Sequence, residues 1–534
     1  MDRVKQINKL SEDEFDLLVI GGGINGAGIA RDASLRGLKV ALIDKGDFSS
    51  GTSSKSAKLI HGGLRYIEKF QFKMVFESVR ERNLLLELAP HLVKPLEFVV
   101  PIYKEDRVPK WFLLLGLVVY DIFSGLKRPR HRRLSKKKIV ELFPWLKEDG
   151  LKGGGLYTDA RADDSRLTIA NVQSADENNA IVANYVKAID IENSEPMKCV
   201  SVKDMLSNHE FKIKCKIVVA VIGVWQDQLF TAHKKLPKII PSTGSHFVIK
   251  QNLGNDRALG FIYQQAKSTG YIIPWKNHTI IGTTDIPFEG NLDNILPSQE
   301  DLDFLLNEVN RIIRNENSIT ASDIFSAFAG ARPLFYSKAE VTDISREFKI
   351  AELEDGIIVV TGGKLTTYRL LAEKTVNKVC KKLKRRRVRC LTHKLPLPGS
   401  DVEDYSYFYS EYYKKLSDMG FKDETVDHLL NTYGTRVKNI LELIRKDESL
   451  KRKISEAKPH IYAEIPYLVQ NEYVCRIEDV FFGRLHLDLT LDNGFDCINV
   501  IAHEVKESFN LSNVEIEDQI KEYRKYIKSI RDFK

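Results

Sequence analysis

The chain has 534 residues, enough for about three to four domains at roughly 150 residues each, and its 43% hydrophobic and 29% charged residues exclude wholesale disorder. No run of about 18 uninterrupted apolar residues occurs, so no membrane-spanning helix is predicted. The net charge of +8 is mild overall but concentrated in two runs, 127–138 (KRPRHRRLSKKK) and 381–389 (KKLKRRRVR). Neither run interleaves the aromatics that stack on bases, so a solvated face or an anionic lipid surface is expected there, and nucleic acid is not.

The opening MDRVKQINKLSEDEFD has no apolar leader segment, and the six cysteines form no CxxC pair, which argues against a zinc cage or a disulfide framework and fits a reducing cytosol. Residues 15–21 (FDLLVIG) read as a buried strand. GGGINGAGIARDASLRG then turns into a helix that stops at Gly37, and LKVALIDKGD is a second strand, so the chain opens on a βαβ unit. Helices are predicted over 68–90, 108–124 and 299–315, and a helix followed by a strand over 165–190. Strands are predicted over 96–104, 211–223, 244–250 and 356–361, with 271–282 a hairpin turning near Asn277. The last strand meets GGKLTTYRLLAEKTVNKVCKKL, a glycine turn opening a long helix. THKLPLPGS (392–400) reads as a linker. Residues 401–534 change to helical spacing with few strand signals and predict a separate all-helical C-terminal domain.

Gly21, Gly23 and Gly26 form GxGxxG, with glycines for the tight turn, for close approach to a pyrophosphate, and for packing the helix on its strand. The helix N-terminus adds free N–H groups and a positive dipole end. Asp44 closes the second strand, placed to accept the hydroxyl protons of an adenosine ribose. This predicts dinucleotide binding; the fingerprint alone does not decide between NAD and FAD.

Five later segments settle the comparison: DFSSGTSSKSAKLIHGGLRYIEKF, STGSHFVIK, IIGTTDI, FAGARPLF and VVTGGKLTTYR. In this order they closely resemble the FAD-dependent glycerol-3-phosphate dehydrogenases, whose fold is similar to that of the D-amino-acid oxidase group. The resemblance runs from about residue 14 to about 380 and continues more weakly through AEIPYLVQNEYVCRIEDVFFGR. It implies an α/β fold: a Rossmann-like FAD-binding domain from segments near 14–70, 150–235 and 345–390, an inserted mixed-sheet substrate domain, and the helical C-terminal domain.

The resemblance also implies roles. Oxidising glycerol 3-phosphate removes a hydride from C2 and a proton from the hydroxyl of a small dianion, so the site needs cations, a flavin and a proton acceptor. Arg65 and Arg332 are expected to fork onto the phosphate. Lys364 is expected to hold the substrate hydroxyl or to stabilise negative charge at the flavin. His246, whose ordinary pKa of about 6.5 suits the task, is the leading candidate for the base, with substrate contact or a structural role as alternatives. Tyr66 is placed in the substrate pocket, and Thr283 and Thr284 offer hydroxyls for phosphate or flavin. On the cofactor side, Lys45, Thr52, Ser53 and Ser54 join the glycine motif and Asp44. His61, Gly62 and Gly63 abut the flavin ring, and Gly362, Gly363, Lys364, Leu365 and Thr366 close its other side.

The chain departs from the family pattern in four places. Asp44 replaces a common Glu, Ala57 replaces a Ser, Ala220 and Val224 replace an Asn and a Pro in a turn, and FFGRLHL replaces a twin-arginine helix. The family divides between quinone and oxygen as electron acceptor. The helix WFLLLGLVVYDIFSGL followed by a basic run has the composition of an interfacial anchor, although packing inside the substrate domain is the favoured reading of the helix itself. Quinone is therefore the expected acceptor and oxygen the alternative, with the protein cytoplasmic and peripheral on the inner face of a membrane. A homodimer stays open, and a non-catalytic membrane- or nucleic-acid-binding flavin fold is the remote alternative.

Overall fold

The computed structural model describes residues 3–532 except 69, 126–128, 195, 231–235, 237, 255, 267, 336–347 and 386–387, with the backbone alone for residues 65 and 194. The apolar run Glu14–Ile20 is buried at every position after the first, as a strand flanked on both faces must be. It pairs in parallel with Val40–Ile43 on one side and Glu210–Ala220 on the other. Ile181–Ala183 extends the first edge and Ile358–Thr361 the second, both in parallel, and Lys349–Glu352 closes the second edge antiparallel. Helix Ile24–Leu35 lies against helices Asp164–Glu177 and Tyr368–Lys382. The crossovers that make a sheet parallel cover its faces with helices.

The second sheet is mixed. Val93–Tyr103 pairs antiparallel with Leu151–Ala162, and Ile239–Ile249 pairs antiparallel with Ile324–Phe335. The hairpin Thr269–Trp275/His278–Gly282 turns where expected, with Lys276 at φ +51°. Two expectations need correction here. Residues 151–162 belong to this second sheet, so the segment assigned to the FAD domain near 150–235 divides between the sheets; only its strands from Ile181 onward join the first. Leu59–Ile60 also pairs into the second sheet, so the chain crosses between sheets just before His61. The hairpin of Val186–Ser194 with Met197–Asp204 was not predicted, because its strands are too polar to give the unbroken apolar run that marks the buried strands of this sheet.

Residues 392–400 are a packed connection rather than a loose linker. Leu397 is buried, the Arg31 guanidinium donates to the Leu395 carbonyl at 2.7 Å, and His91 Nδ1 lies 2.6 Å from Ser400 Oγ. The C-terminal domain is helical, with a core that includes Leu416, Leu429, Ile440, Phe481 and Tyr523. Within it, Asp479–Arg484 winds as one π-helical turn. Among the described residues, no helix is long and apolar enough to cross a membrane.

Candidate functional site

The glycine motif forms a cradle at the carboxyl end of the first strand. A methyl group at Gly26 would lie 1.8 Å from the Gly21 carbonyl oxygen, so only glycine lets the helix start this close to the strand. Ser53 Oγ accepts the Ile24 amide at 2.9 Å, satisfying one N–H of the helix's first turn. Asp44 Oδ2 accepts the Gly22 amide at 2.6 Å, and Oδ1 accepts the Gly46 amide at 2.9 Å. Burial outweighs these two amides and pushes the Asp44 carboxyl up to about 6. The cradle opens into a cavity of about 1200 Å³. Gly21, Gly23, Asp44, Lys45, Thr52, Ser53 and Ser54 line one part, and Gly362, Gly363, Lys364 and Leu365 another.

Lys45 reaches across to the substrate domain. It pairs with Asp293 and stands 4.5 Å over the Trp225 ring, while Trp225 Nε1 donates to the same carboxylate at 2.7 Å. The unusual turn after Ala220 therefore places Trp225 at the rim of the cavity. Thr52 Oγ1 donates to the Ala331 carbonyl at 2.6 Å, a second tie between the two sheets.

His61, Gly62 and Gly63 form a strap just past the crossing between sheets. The Thr366 hydroxyl accepts the His61 amide at 3.1 Å and donates to its carbonyl at 3.2 Å, joining the strap to the Gly362–Thr366 turn. The Gly62 amide donates to Tyr120 Oη at 2.8 Å; Tyr120 donates to Asp159 at 2.6 Å, and Arg82 donates to the same Asp159 oxygen at 2.6 Å. A methyl group at Gly62 would lie 2.3 Å from that Tyr120 oxygen, so the network also enforces glycine. The Lys364 ammonium stands 3.8 Å over the Tyr66 ring, within cation–π range. The side chain of Arg65 lies outside the described residues.

Arg332 and His246 share one face of the second sheet. Arg332 pairs with Ser242 in the register and Phe328 with His246, and side chains two residues apart on a strand point to the same face. The Arg332 guanidinium donates to Thr283 Oγ1 at 2.8 Å and to the carbonyls of Thr243 and Thr284 at 3.1 Å, with Asp285 Oδ1 at 3.3 Å. Thr284 has a different place from Thr283: it is buried, and its hydroxyl accepts the Ser245 amide at 2.9 Å. The His246 ring stacks on Phe328 with centroids 4.8 Å apart. Burial, then the charges of Arg332 and Lys58, push its pKa down to about 3, so the imidazole is neutral at pH 7. It does not line the cavity itself.

Comparison with known proteins agrees with this geometry. Residues 16–376 match the FAD dependent oxidoreductase family, and residues 390–516 match the C-terminal domain of alpha-glycerophosphate oxidase. A glycerol-3-phosphate dehydrogenase of Synechocystis is 35% identical over 98% of both chains. The chain belongs to the FAD-dependent glycerol-3-phosphate dehydrogenase family. The crystal structure of the Bacillus halodurans glycerol-3-phosphate dehydrogenase, complexed with FAD, superposes with a TM-score of 0.84 at 29% identity, covering 99% of this chain and 98% of that one. The L-alpha-glycerophosphate oxidase of Mycoplasma pneumoniae shares the fold at 17% identity and a TM-score of 0.56, covering 95% of its own chain but 69% of this one.

The residues present fit the family's cofactor. The helix start offers amides to a pyrophosphate, Asp44 offers a carboxylate to a ribose, and a strap and a glycine turn face each other across a hydroxyl bridge. Motif reading missed Asn25, whose amide donates to the Gly362 carbonyl at 3.1 Å and so ties the first glycine loop to the last. It also missed Arg82, Tyr120 and Asp159. Asn25 sits inside the glycine motif and was within reach of a closer reading; nothing in the local sequence singles out the other three.

Proposed function

We propose that the chain oxidises sn-glycerol 3-phosphate to dihydroxyacetone phosphate and passes the electrons to a membrane quinone. The observation that carries the reading is the meeting of Lys364 with Tyr66 beside the strap, at the cofactor cavity, in a chain similar over nearly its whole length to named glycerol-3-phosphate dehydrogenases. FAD, when bound, supplies the hydride acceptor for the substrate C2–H. Arg332, with Arg65, takes the phosphate dianion, and the Thr283 hydroxyl that now accepts from Arg332 turns to the same oxygens. Lys364 orients the substrate hydroxyl. His246, neutral before substrate arrives, takes the hydroxyl proton at an imidazole nitrogen. Two negative charges at Arg332 offset one of the cations that depress its pKa, so its basicity rises as substrate binds.

The acceptor reading rests on an apolar surface. Helix Lys110–Phe123 buries Leu113, Leu117 and Tyr120 but turns Trp111, Leu115, Val118 and Ile122 outward, with Trp111 67% and Ile122 63% exposed. Phe72 and Phe76, from the neighbouring helix, join it through edge contacts to Phe123 at 6.2 Å. The exposed Arg130, Arg133, Lys136 and Lys137 of the first basic run follow directly. Apolar stripe plus basic flank suits a peripheral seat on an anionic leaflet. Beneath the helix, Leu64, Ile67, Phe112 and Leu113 line a narrow apolar crevice that begins one residue after Gly63, a route for a quinone toward the strap.

The test is anaerobic. Glycerol 3-phosphate added to the yellow protein should bleach the oxidised-flavin band within the turnover time. A band that persists overturns the substrate assignment. With the band bleached, a soluble quinone analogue should restore the colour faster than oxygen; rapid recovery in oxygen with peroxide released overturns the quinone reading alone.

A further inference from the structure

The C-terminal domain, residues 401–534, reaches the cofactor cavity, where Asp479, Phe482, Gly483 and Tyr526 line its wall. Arg484, at the end of the π-helical turn and fully buried, makes a two-pronged ion pair with Asp47; its second prong is 3.0 Å from Asp47 Oδ1, and the same guanidinium donates twice to the Glu472 carbonyl. Asp47 lies three residues after the ribose carboxylate Asp44, in the loop whose Gly46 amide holds that carboxylate. The next residue, Phe48, packs on Gly22 and is met edge-on by Tyr473 at 5.3 Å. On the far side of the loop, Tyr185 donates its amide to the Gly46 carbonyl at 2.9 Å and its hydroxyl to Asp479 at 2.6 Å. Further along the cavity, Phe482 and Tyr526 form wall, with the Lys55 ammonium 5.3 Å and 5.8 Å over their rings.

We propose that the C-terminal domain is a working part of the FAD site: Arg484, through Asp47, holds the loop that presents Asp44 to the adenosine ribose, and Phe482 and Tyr526 close the cavity behind it. Two residues of that loop, Asp47 and Phe48, are held from the C-terminal side, while Lys45 is tied to Asp293. The Asp44 carboxylate needs two amides at fixed positions, and one of them belongs to the clamped loop. Arg484 is thus a positioning residue. The inference concerns the cofactor's adenosine half and stands whatever alcohol the enzyme oxidises.

The test uses the full chain stripped of flavin, with FAD binding followed by quenching of its fluorescence and ADP as a competing probe of the adenosine half. Arg484→Met should weaken both FAD and ADP at least tenfold while FMN, which lacks the adenosine, changes less than twofold; Arg484→Lys should fall between. FAD and ADP affinities within twofold of wild type overturn the proposal, and so does an equal loss for FMN, which would mark general loosening. Should Arg484→Met fail to fold, Tyr185→Phe and Tyr526→Leu leave every ion pair intact and decide instead. Three- to tenfold weaker FAD supports the clamp, and unchanged FAD refutes it.

Discussion

Asp44 carries a charge requirement that can be measured. A ribose hydroxyl donates best to an ionised carboxylate, yet burial holds this one up to about 6 in the cofactor-free protein. FAD binding therefore releases a proton near that pH, and affinity should fall up to tenfold for each pH unit below about 6 and stay flat above it. The sign for folding is opposite. Because the folded protein binds this proton between the ordinary 3.8 and about 6, Asp44 adds stability as the pH falls through that window, so weaker FAD binding there is not loss of fold. Asp44→Asn should abolish the pH step and weaken FAD at pH 7.5; a step that survives in fluorescence titration assigns it to another group. At the strap, Tyr120→Phe removes the nearer of two acceptors of the Gly62 amide and a donor to buried Asp159, which costs about 1–3 kcal/mol. A lowered thermal midpoint with a shifted flavin spectrum is expected, and an unchanged spectrum would make the network purely structural. Asp44 was legible because its partners lie within a single βαβ unit. Tyr120, Asp159 and Arg82 were not, because they are brought together from three elements and none sits in a motif.

Helix Lys110–Phe123 shows why composition alone left two readings open. One stripe, including Leu113, Leu117 and Tyr120, packs on the second sheet, and another, Trp111, Leu115, Val118 and Ile122, faces out. Apolar residues fill both stripes, so periodicity cannot separate them. Each large exposed side chain transferred to an apolar phase is worth about 1.5–3 kcal/mol, so Trp111→Ser with Ile122→Ser should reduce sedimentation with vesicles containing anionic lipid at least tenfold. FAD content and anaerobic bleaching should be kept, since neither side chain touches the cavity. Binding that survives in the double variant would move the docking surface elsewhere. The second basic run is a weaker candidate for lipid: Lys382 pairs with Glu352 and Arg385 with Asp16, so part of its charge is spent within the fold. The strand Leu151–Ala162 makes a parallel point about order in the chain. It precedes six strands of the FAD sheet yet joins the other sheet, a choice set by antiparallel pairing with Val93–Tyr103 across about sixty residues and not by any local signal.

Taken whole, the molecule is held together across its domain boundary by buried charge. Besides Arg484 and Asp47, Arg166 of helix Asp164–Glu177 forms a two-pronged pair with Glu472, one prong at 2.7 Å, with side chains 6% and 0% exposed. The same guanidinium stands 5.0 Å over the Tyr433 ring. With the packed connection at 392–400, this joins the C-terminal domain to the helix that flanks the dinucleotide helix. A buried pair gains little over two apolar side chains of similar volume, but removing one partner leaves an uncompensated charge in the interior. Glu472→Gln should therefore destabilise the protein by about 3–5 kcal/mol, while Arg166→Met combined with Glu472→Met should recover most of that loss. The wild type with FAD should melt in a single transition, because cofactor, loop and C-terminal domain share contacts. Glu472→Gln should split it, with the C-terminal domain melting first and the flavin released in the same step. A Glu472→Gln protein that melts once, at the wild-type temperature, would mean that the domains are held by their apolar contacts and that this pair only fills space between them.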